Sequence, residues 1–584
     1  MEGTEGTWQE QHTWLSDTRQ RSQEKKMGDA MKIITIQKLL CMNCIPAALL
    51  AGLVSLPLQS AHADDDEDEG SALNTPFKHA PRPIIGALRK PLDKLPQIEH
   101  FQVVGHTIVT NPGQVIERGR NGAVQLAESC AYVGNRLGRR SGTGPAFGTP
   151  ALPPEIAIVD VGNPRNPIVI GHLVTPAGGT TRELRALPER NTLIVQNFGA
   201  DNTAFSPPVA PVNNFMFYNI SNCSNPILKH TLTLPAAPHE FLVWVDPANP
   251  FRTLIYASFI GADPEIRVYD VSNALNNPPT SPPTTELASF SLAPAVPSVV
   301  PFNPADPALA FAPDQFPFTT PASIFPLNNR AHSFSVNKEG TRLYVANLDA
   351  GFYILDTSNL ANAVTAMTCI PKTVTVDATS NTNPHLCLRK LNPDPDARVD
   401  WHPPTASVTH TALKVPGRPY VLVSDERNGT NTCPWAWGRI IDISSEFNPV
   451  IIASWLVPEN LAANCFIGGP GDPAHQREFS SHQITALPNL FFQSWYSAGL
   501  RAWDISNPWL PSETGVFVPK PEFPNVVEPF RNSPDVWIWP YPVIRDRLIY
   551  QCDENSGLFI LRYKGARADE VPEVGTFTGN LVRP

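Results

Sequence analysis

One repeated unit limits what this chain can fold into. From His482 to Val518 the sequence reads HQITALPNLFFQSWYSAGLRAWDISNPWLPSETGVFV. His482 to Ala486 is a short extended run, turned by Pro488-Asn489. Leu490 to Trp495 is apolar and aromatic, which favours a strand. Ser497-Ala498-Gly499 turns the chain into a third strand, Leu500 to Ile505. Asp504-Ile505-Ser506-Asn507-Pro508 stops that strand, because Asp, Ser and Asn side chains bond nearby backbone N–H groups and Pro508 has no N–H for a ladder. Gly515 to Val518 supplies a fourth strand. A four-stranded antiparallel unit of about forty residues cannot bury both its faces alone, so copies must accompany it.

The copies are present. The third-strand signature recurs as IAIVDVGNPRNP ending at Pro167, FMFYNISNCSNP ending at Pro226, IRVYDVSN ending at Asn273, FYILDTSN ending at Asn359, RIIDISSEFNP ending at Pro449 and RAWDISNP ending at Pro508. GLFILRY, ending at Tyr563, is a degenerate last copy. The pivots Asp160, Asn219, Asp270, Asp356, Asp442, Asp504 and Arg562 lie 51 to 86 residues apart. This pattern predicts an all-β chain, a single seven-bladed β-propeller over residues 98–578, with long loops on one face and almost no helix. Closure is expected from both termini, with Phe101 to Val109 beside the last blade and the terminal GTFTGN as a fourth strand.

Apolar alternation followed by Asp, a small residue, Asn and Pro resembles the LVIVD-repeat proteins. GRNGAVQLAESCAYVGN (Gly119 to Asn135) and SGLFILRY resemble the first and last repeats of that family. The resemblance covers roughly residues 98–578 and implies a secreted or surface β-propeller. It implies no particular activity.

Ahead of the ring, the first thirty residues are polar and lack hydrophobic periodicity, and Met31 reads as the true start. Lys32 and Lys38, the apolar run Ile45 to Leu58 and Ala61-His62-Ala63 then read as a secretory signal, with residues 1–63 as extension plus signal. A membrane anchor is the rival, but Pro46 and Pro57 break an already short run. Cys41 and Cys44 lack the small-residue context of a lipidation site. Residues 64–97 read as a disordered linker, opened by the acidic block Asp64 to Glu69 and then rich in proline. Residues 579–584 read as a tail. The expected location is therefore secreted or periplasmic, with no membrane span after signal cleavage.

The chain has 63 prolines, 12 tryptophans and a net charge of −10. With no basic stripe, nucleic acid is excluded as a partner. A monomer is expected. Seven cysteines follow the signal, and disulfides are their default in an oxidising compartment. Cys369 with Cys387, and Cys433 with Cys465, read as loop staples. Cys130, Cys223 and Cys552 leave at least one thiol unpaired, and sequence does not fix the pairing.

In a propeller the innermost strand of each blade lines the channel. Aligning the blades places Asn121, Arg182, His239, His332, His410, His482 and Trp539 at the start of those strands. The four histidines, from a total of 14, fall in consecutive blades. Two readings stand. Either each histidine braces a neighbouring blade through a ring N–H, or the four imidazoles converge on a metal, copper or iron ahead of zinc. Asp349, Asp425, Glu426, Asp553 and Glu554, just beyond second strands, read either as supplementary ligands or bases or as turn caps. Glu240 should point away from His239 by strand alternation and is a poor candidate for the same site.

Long loops (136–154, 200–213, 293–330, 365–409 and 458–481) leave the ring on the histidine-bearing face, the usual mark of a working face. GxSxG, HExxH, P-loop and Rossmann motifs are all missing, so no catalytic residue is identified. Phe491, Phe492, Trp495 and Trp503 read as packing between blades. The functional expectation is an exported binding propeller with a small molecule or protein as ligand. The alternative is a metal-dependent oxidoreductase using the four histidines.

Overall fold

The computed structural model describes residues 84–86, 96–109, 121–135, 155–199, 213–291, 331–361, 374–375, 389–390, 408–426, 437–461, 479–521 and 536–582, apart from 177–178, 182, 261, 263, 349–350 and 447–448. Seven sheets follow one another around a ring. Blade 1 is Asn121–Ala127, Cys130–Asn135, Glu155–Asp160 and Ile168–Val174, and blade 2 is Leu184–Leu187, Thr192–Gly199, Asn214–Asn219 and Ile227–Thr233. Blade 3 is Phe241–Val245, Thr253–Ser258, Ile266–Asp270 and Thr285–Ser291; blade 4 is Ala331–Val336, Arg342–Asn347, Gly351–Asp356 and Arg389–Lys390. Blade 5 is Val408–Lys414, Tyr420–Glu426, Gly438–Asp442 and Val450–Leu456; blade 6 is Ile484–Ala486, Leu490–Ser494, Leu500–Asp504 and Ser512–Val518. Blade 7 takes Val543–Arg545, Leu548–Asp553 and Gly557–Tyr563 from late in the chain and its outer strand, Phe101–Thr107, from early in it. The fold is all-β, and among the described residues helix is confined to single turns such as Ser358–Ala361.

Local chemistry explains why each third strand stops where it does. The pivot carboxylate or amide accepts the backbone N–H two residues on in six blades: Asp160 from Gly162, Asn219 from Ser221, Asp270 from Ser272, Asp356 from Ser358, Asp442 from Ser444 and Asp504 from Ser506, at 2.7–3.0 Å. Each is an Asx turn, which satisfies a donor that the ladder no longer serves. Blade 7, whose pivot is Arg562, ends differently. The Lys564 N–H donates to the His100 carbonyl, so the early strand supplies the acceptor.

Packing energy sits between blades. One buried apolar cluster joins each consecutive pair, including blades 7 and 1, so the ring is closed by the hydrophobic effect as well as by hydrogen bonds. Trp455, Phe491 and Trp503 fill the interface of blades 5 and 6, and Phe101, Phe492 and Tyr563 that of blades 6 and 7. These aromatics are packing residues, as their sequence context suggests.

The closure carries one correction to sequence expectation. GTFTGN is not the fourth strand of blade 7: Thr576–Phe577 pairs with the innermost strand, Ile544 opposite Phe577. The outer position was already taken by Phe101–Thr107, which leaves the inner edge as the free ladder. The chain then crosses the channel. The Gly579 N–H donates to Thr485 Oγ1 of blade 6 at 3.1 Å, the Asn580 carbonyl accepts from Val243 of blade 3 at 3.2 Å, and Leu581–Val582 runs parallel beside Val243 and Trp244.

Earlier residues bind the outside of the ring. Ile84–Ile85 pairs in parallel with Trp455–Leu456 of blade 5, and Gln97–Glu99 with the outer strand of blade 6. A disulfide, Cys130–Cys223, ties blade 1 to the turn after the third strand of blade 2, and Cys552 is a buried free thiol. Cys369, Cys387, Cys433 and Cys465 lie outside the described residues. Among the described residues no helix is long and apolar enough to cross a membrane.

Candidate functional site

The four histidines meet. Their rings form an arc, with centroids 4.4 Å apart between His239 and His332, 3.8 Å between His332 and His410, and 4.0 Å between His410 and His482. His239 is half-buried and the other three are buried. The arrangement follows from the inner strands. His332 and His410 lie where those strands change register, between Ala331 and Phe334 and between Thr409 and Thr411. A bulge re-aims side chains that strict alternation would send to opposite faces. His239 and His482 precede their strands, anchored through N–H bonds to Ser258 and Ser494 carbonyls.

Carboxylates complete the cluster. Glu426, at the end of the second strand of blade 5, lies 3.5 Å from His410 Nε2 and 3.7 Å from His482 Nε2. Tyr496 donates its hydroxyl to Glu426 Oε1. Its backbone is left-handed, with φ 41°, a costly conformation for a bulky side chain. Glu240 corrects the sequence reading: its Oε1 is 3.9 Å from His332 Nδ1 and accepts from Gln483 Nε2. Alternation failed there because Glu240 precedes the regular strand, which begins at Phe241. Two groups, Glu240–His332–His410 and His410–Glu426–His482, each bring three potential ligand atoms within 4.8 Å of one another.

Beneath the histidines a polar layer spans the channel. Thr411 Oγ1 donates to Gln483 Oε1 at 3.1 Å, and the Tyr541 hydroxyl donates to Glu240 Oε2 at 3.4 Å. Burial, and then the Glu240 charge, push the Tyr541 hydroxyl well above its ordinary pKa, so it stays a donor. Arg185 donates to Glu183 at 2.8 Å and to the Phe241 carbonyl at 2.7 Å, with its guanidinium over the Phe241 ring. Below this layer runs the crossing C-terminal segment, at Thr485 and Val243. These are three and four residues further along the inner strands than His482 and His239.

Of the other sequence candidates, Trp539 borders the cluster, while Asn121, Asp425 and Asp553 serve structural bonds elsewhere. Asn121 is buried and donates its amide to the Asp553 and Glu554 carbonyls, a brace between blades 1 and 7. Trp539 lends its carbonyl to His482 Nδ1 at 2.7 Å and packs with Trp537 and Tyr496. Arg182 and Asp349 lie outside the described residues. Asp425 pairs with buried Arg439 at 2.6 Å. Asp553 caps a turn, accepting from the Asn555 and Ser556 N–H groups. Of the carboxylates singled out from sequence, Glu426 is placed among the histidines, whereas Asp425 and Asp553 are engaged elsewhere.

A model of the LVIVD repeat matches residues 333–369, which include FYILDTSN of blade 4. Similar solved structures include a protein from Lactobacillus plantarum (10% identity, TM-score 0.39, covering 68% of this chain and 84% of that one). They also include the β-propeller domain of Myceliophteria thermophila Cps50 (Swd1) (10% identity, TM-score 0.40, covering 77% and 98%) and Sqt1 from Chaetomium thermophilum (10% identity, TM-score 0.39, covering 79% and 86%). Curated proteins yield no match. Likenesses this distant carry no functional argument, and the architecture rests on the seven sheets themselves. The chain is a seven-bladed β-propeller that carries the LVIVD repeat.

Proposed function

We propose that this chain is an exported binding propeller that takes its ligand at the histidine-bearing mouth of the channel. The observation that carries the reading is the shape of the axis. Inner strands converge half-buried His239 and buried His332, His410, His482, Glu240 and Glu426 at one level, and the chain's own C-terminal segment crosses the channel beneath them. Convergent polar groups carried on rigid inner strands are a binding geometry, because a few fixed polar groups set a ligand's orientation. Export is supported by the basic, apolar and Ala-His-Ala pattern before Asp64, and by the Cys130–Cys223 disulfide, a bond favoured in oxidising compartments. Oxidoreductase activity is not part of this reading.

Native mass spectrometry of protein purified from the culture medium and periplasm of its own host tests the proposal. The expected result is a stoichiometric organic adduct, lost in His239→Ala and retained in Trp509→Ala, an exposed site on the blade 6 turn. Adduct-free protein, an adduct indifferent to His239, or a product confined to the cytoplasm would overturn it.

A further inference from the structure

The hydrogen bonds around the buried histidines fix which ring nitrogen carries the proton. His482 Nδ1 faces the Trp539 carbonyl at 2.7 Å, and a carbonyl only accepts, so Nδ1 holds the hydrogen. Thr411 spends its hydroxyl hydrogen on Gln483 Oε1, so the 2.8 Å contact with His410 Nδ1 is donated by the ring. Ser333 donates to the His410 carbonyl, so His332 Nδ1 likewise donates to Ser333 Oγ at 3.2 Å. Three successive imidazoles are thereby held in one tautomer, with Nε2 as the lone-pair nitrogen. A ligand histidine is oriented in this way when its second nitrogen is tied to a carbonyl or hydroxyl.

The spacing points the same way. Glu426 Oε2 lies 3.5 Å from His410 Nε2, and Glu426 Oε1 lies 3.7 Å from His482 Nε2. Both exceed the usual N–H···O range of about 2.7–3.2 Å. They approach the donor–donor spacing of roughly 3.3–3.4 Å around an ion with bonds of about 2.0–2.1 Å, one carboxylate oxygen towards each imidazole. We propose that His410 Nε2, His482 Nε2 and the Glu426 carboxylate, whose ligand atoms lie within 4.8 Å of one another, hold one divalent first-row transition ion. The overlapping group with Glu240 shares His410, whose Nδ1 is committed to Thr411, so its Nε2 serves one ion only. Glu240 is moreover already held by Gln483 and Tyr541.

Two imidazoles and one carboxylate form the donor set of zinc and non-haem Fe(II) sites with an open position, rather than of soft Cu(I). The Tyr496 hydroxyl on Glu426 Oε1 orients the carboxylate. His332 packs beside this set, its ring centroid 3.8 Å from that of His410. The ion deepens the binding reading above and rests on it, since it would be the pocket's first anchor for an anionic or carbonyl ligand.

The test uses untagged full-length protein, stripped with EDTA and titrated with Zn²⁺ and with Co²⁺. About one equivalent should bind, with Co²⁺ visible bands of tetrahedral or five-coordinate type and a melting temperature that rises with metal concentration. Glu426→Gln and His482→Asn should abolish the bands, and Thr411→Val should weaken uptake about 10–100-fold as an orienting partner is lost. Stripped wild-type protein that is folded yet takes up neither ion at micromolar concentration overturns the site, whether or not the variants fold. So does binding that survives in folded Glu426→Gln. An organic adduct that persists in metal-free protein would separate failure of this site from failure of the binding role.

Discussion

Arg501 shows what holds a charge inside this ring. Its guanidinium is fully buried, bonded to Glu459 at 2.7 Å, to Glu513 at 2.9 Å and to the Ala498 carbonyl at 2.7 Å. Burial pulls its pKa down most, but the two carboxylates outweigh that and hold it above the ordinary value. Arg501→Met leaves two buried carboxylates without a cation and should cost about 3–5 kcal/mol, read by urea unfolding. A loss under about 1 kcal/mol would mean that water replaces the guanidinium. Distance along the chain decided which such residues could be read in advance. The Asx pivots were legible because donor and acceptor are two residues apart. The four histidines were legible because the repeat puts them in register. Glu240 was not, since its partners Gln483 and Tyr541 are 243 and 301 residues away and no local pattern records them. Tyr496 carried no signal either, because its role depends on a backbone turned to positive φ.

Among the elements, two connections hold the ring's beginning. The Cys130–Cys223 bond closes a loop of sequence separation 93, for which the chain-entropy model gives about 4–5 kcal/mol. The double substitution Cys130→Ser and Cys223→Ser should lower the unfolding free energy by that order, and reductant should do the same to wild type but nothing to the variant. Equal stability of the two would show the bond is not formed. Pairing was illegible because the two cysteines lie in different blades, and only ring curvature brings Cys130 to the turn of blade 2. The outer strand Phe101–Thr107 is the second connection. Its role in closure was legible, since the last repeat lacks a partner strand, while the inner placement of GTFTGN was not. Deleting residues before Gly113 should strip blade 7 of that strand and uncover Tyr563 and Phe492, both packed on Phe101. The expected readout is a lower melting temperature with dye binding to exposed apolar surface. An unchanged melt would show that blade 7 closes without it.

At the scale of the whole molecule, both ends of the described chain are fastened to strands far from them in sequence. The crossing segment predicts a local effect at a distance: removing residues 576–584 should speed hydrogen exchange at Val243, whose N–H is held by Asn580. Exchange at Tyr420–Glu426 should be unaltered. Equal protection at Val243 in both chains would remove the segment from the channel. The seam also sets a clock. His106 bonds the Ser556 carbonyl across a separation of 450 residues, so one side of blade 7 is synthesised long before the other. At about 5–20 residues per second the early strand waits roughly 20–90 s for its partner. Throughout that interval it presents an unpaired edge, the form of β-structure most prone to join the wrong chain. A ring sewn in this way should depend on a holding factor during synthesis, and a shortened wait should relieve that dependence even when no residue is changed.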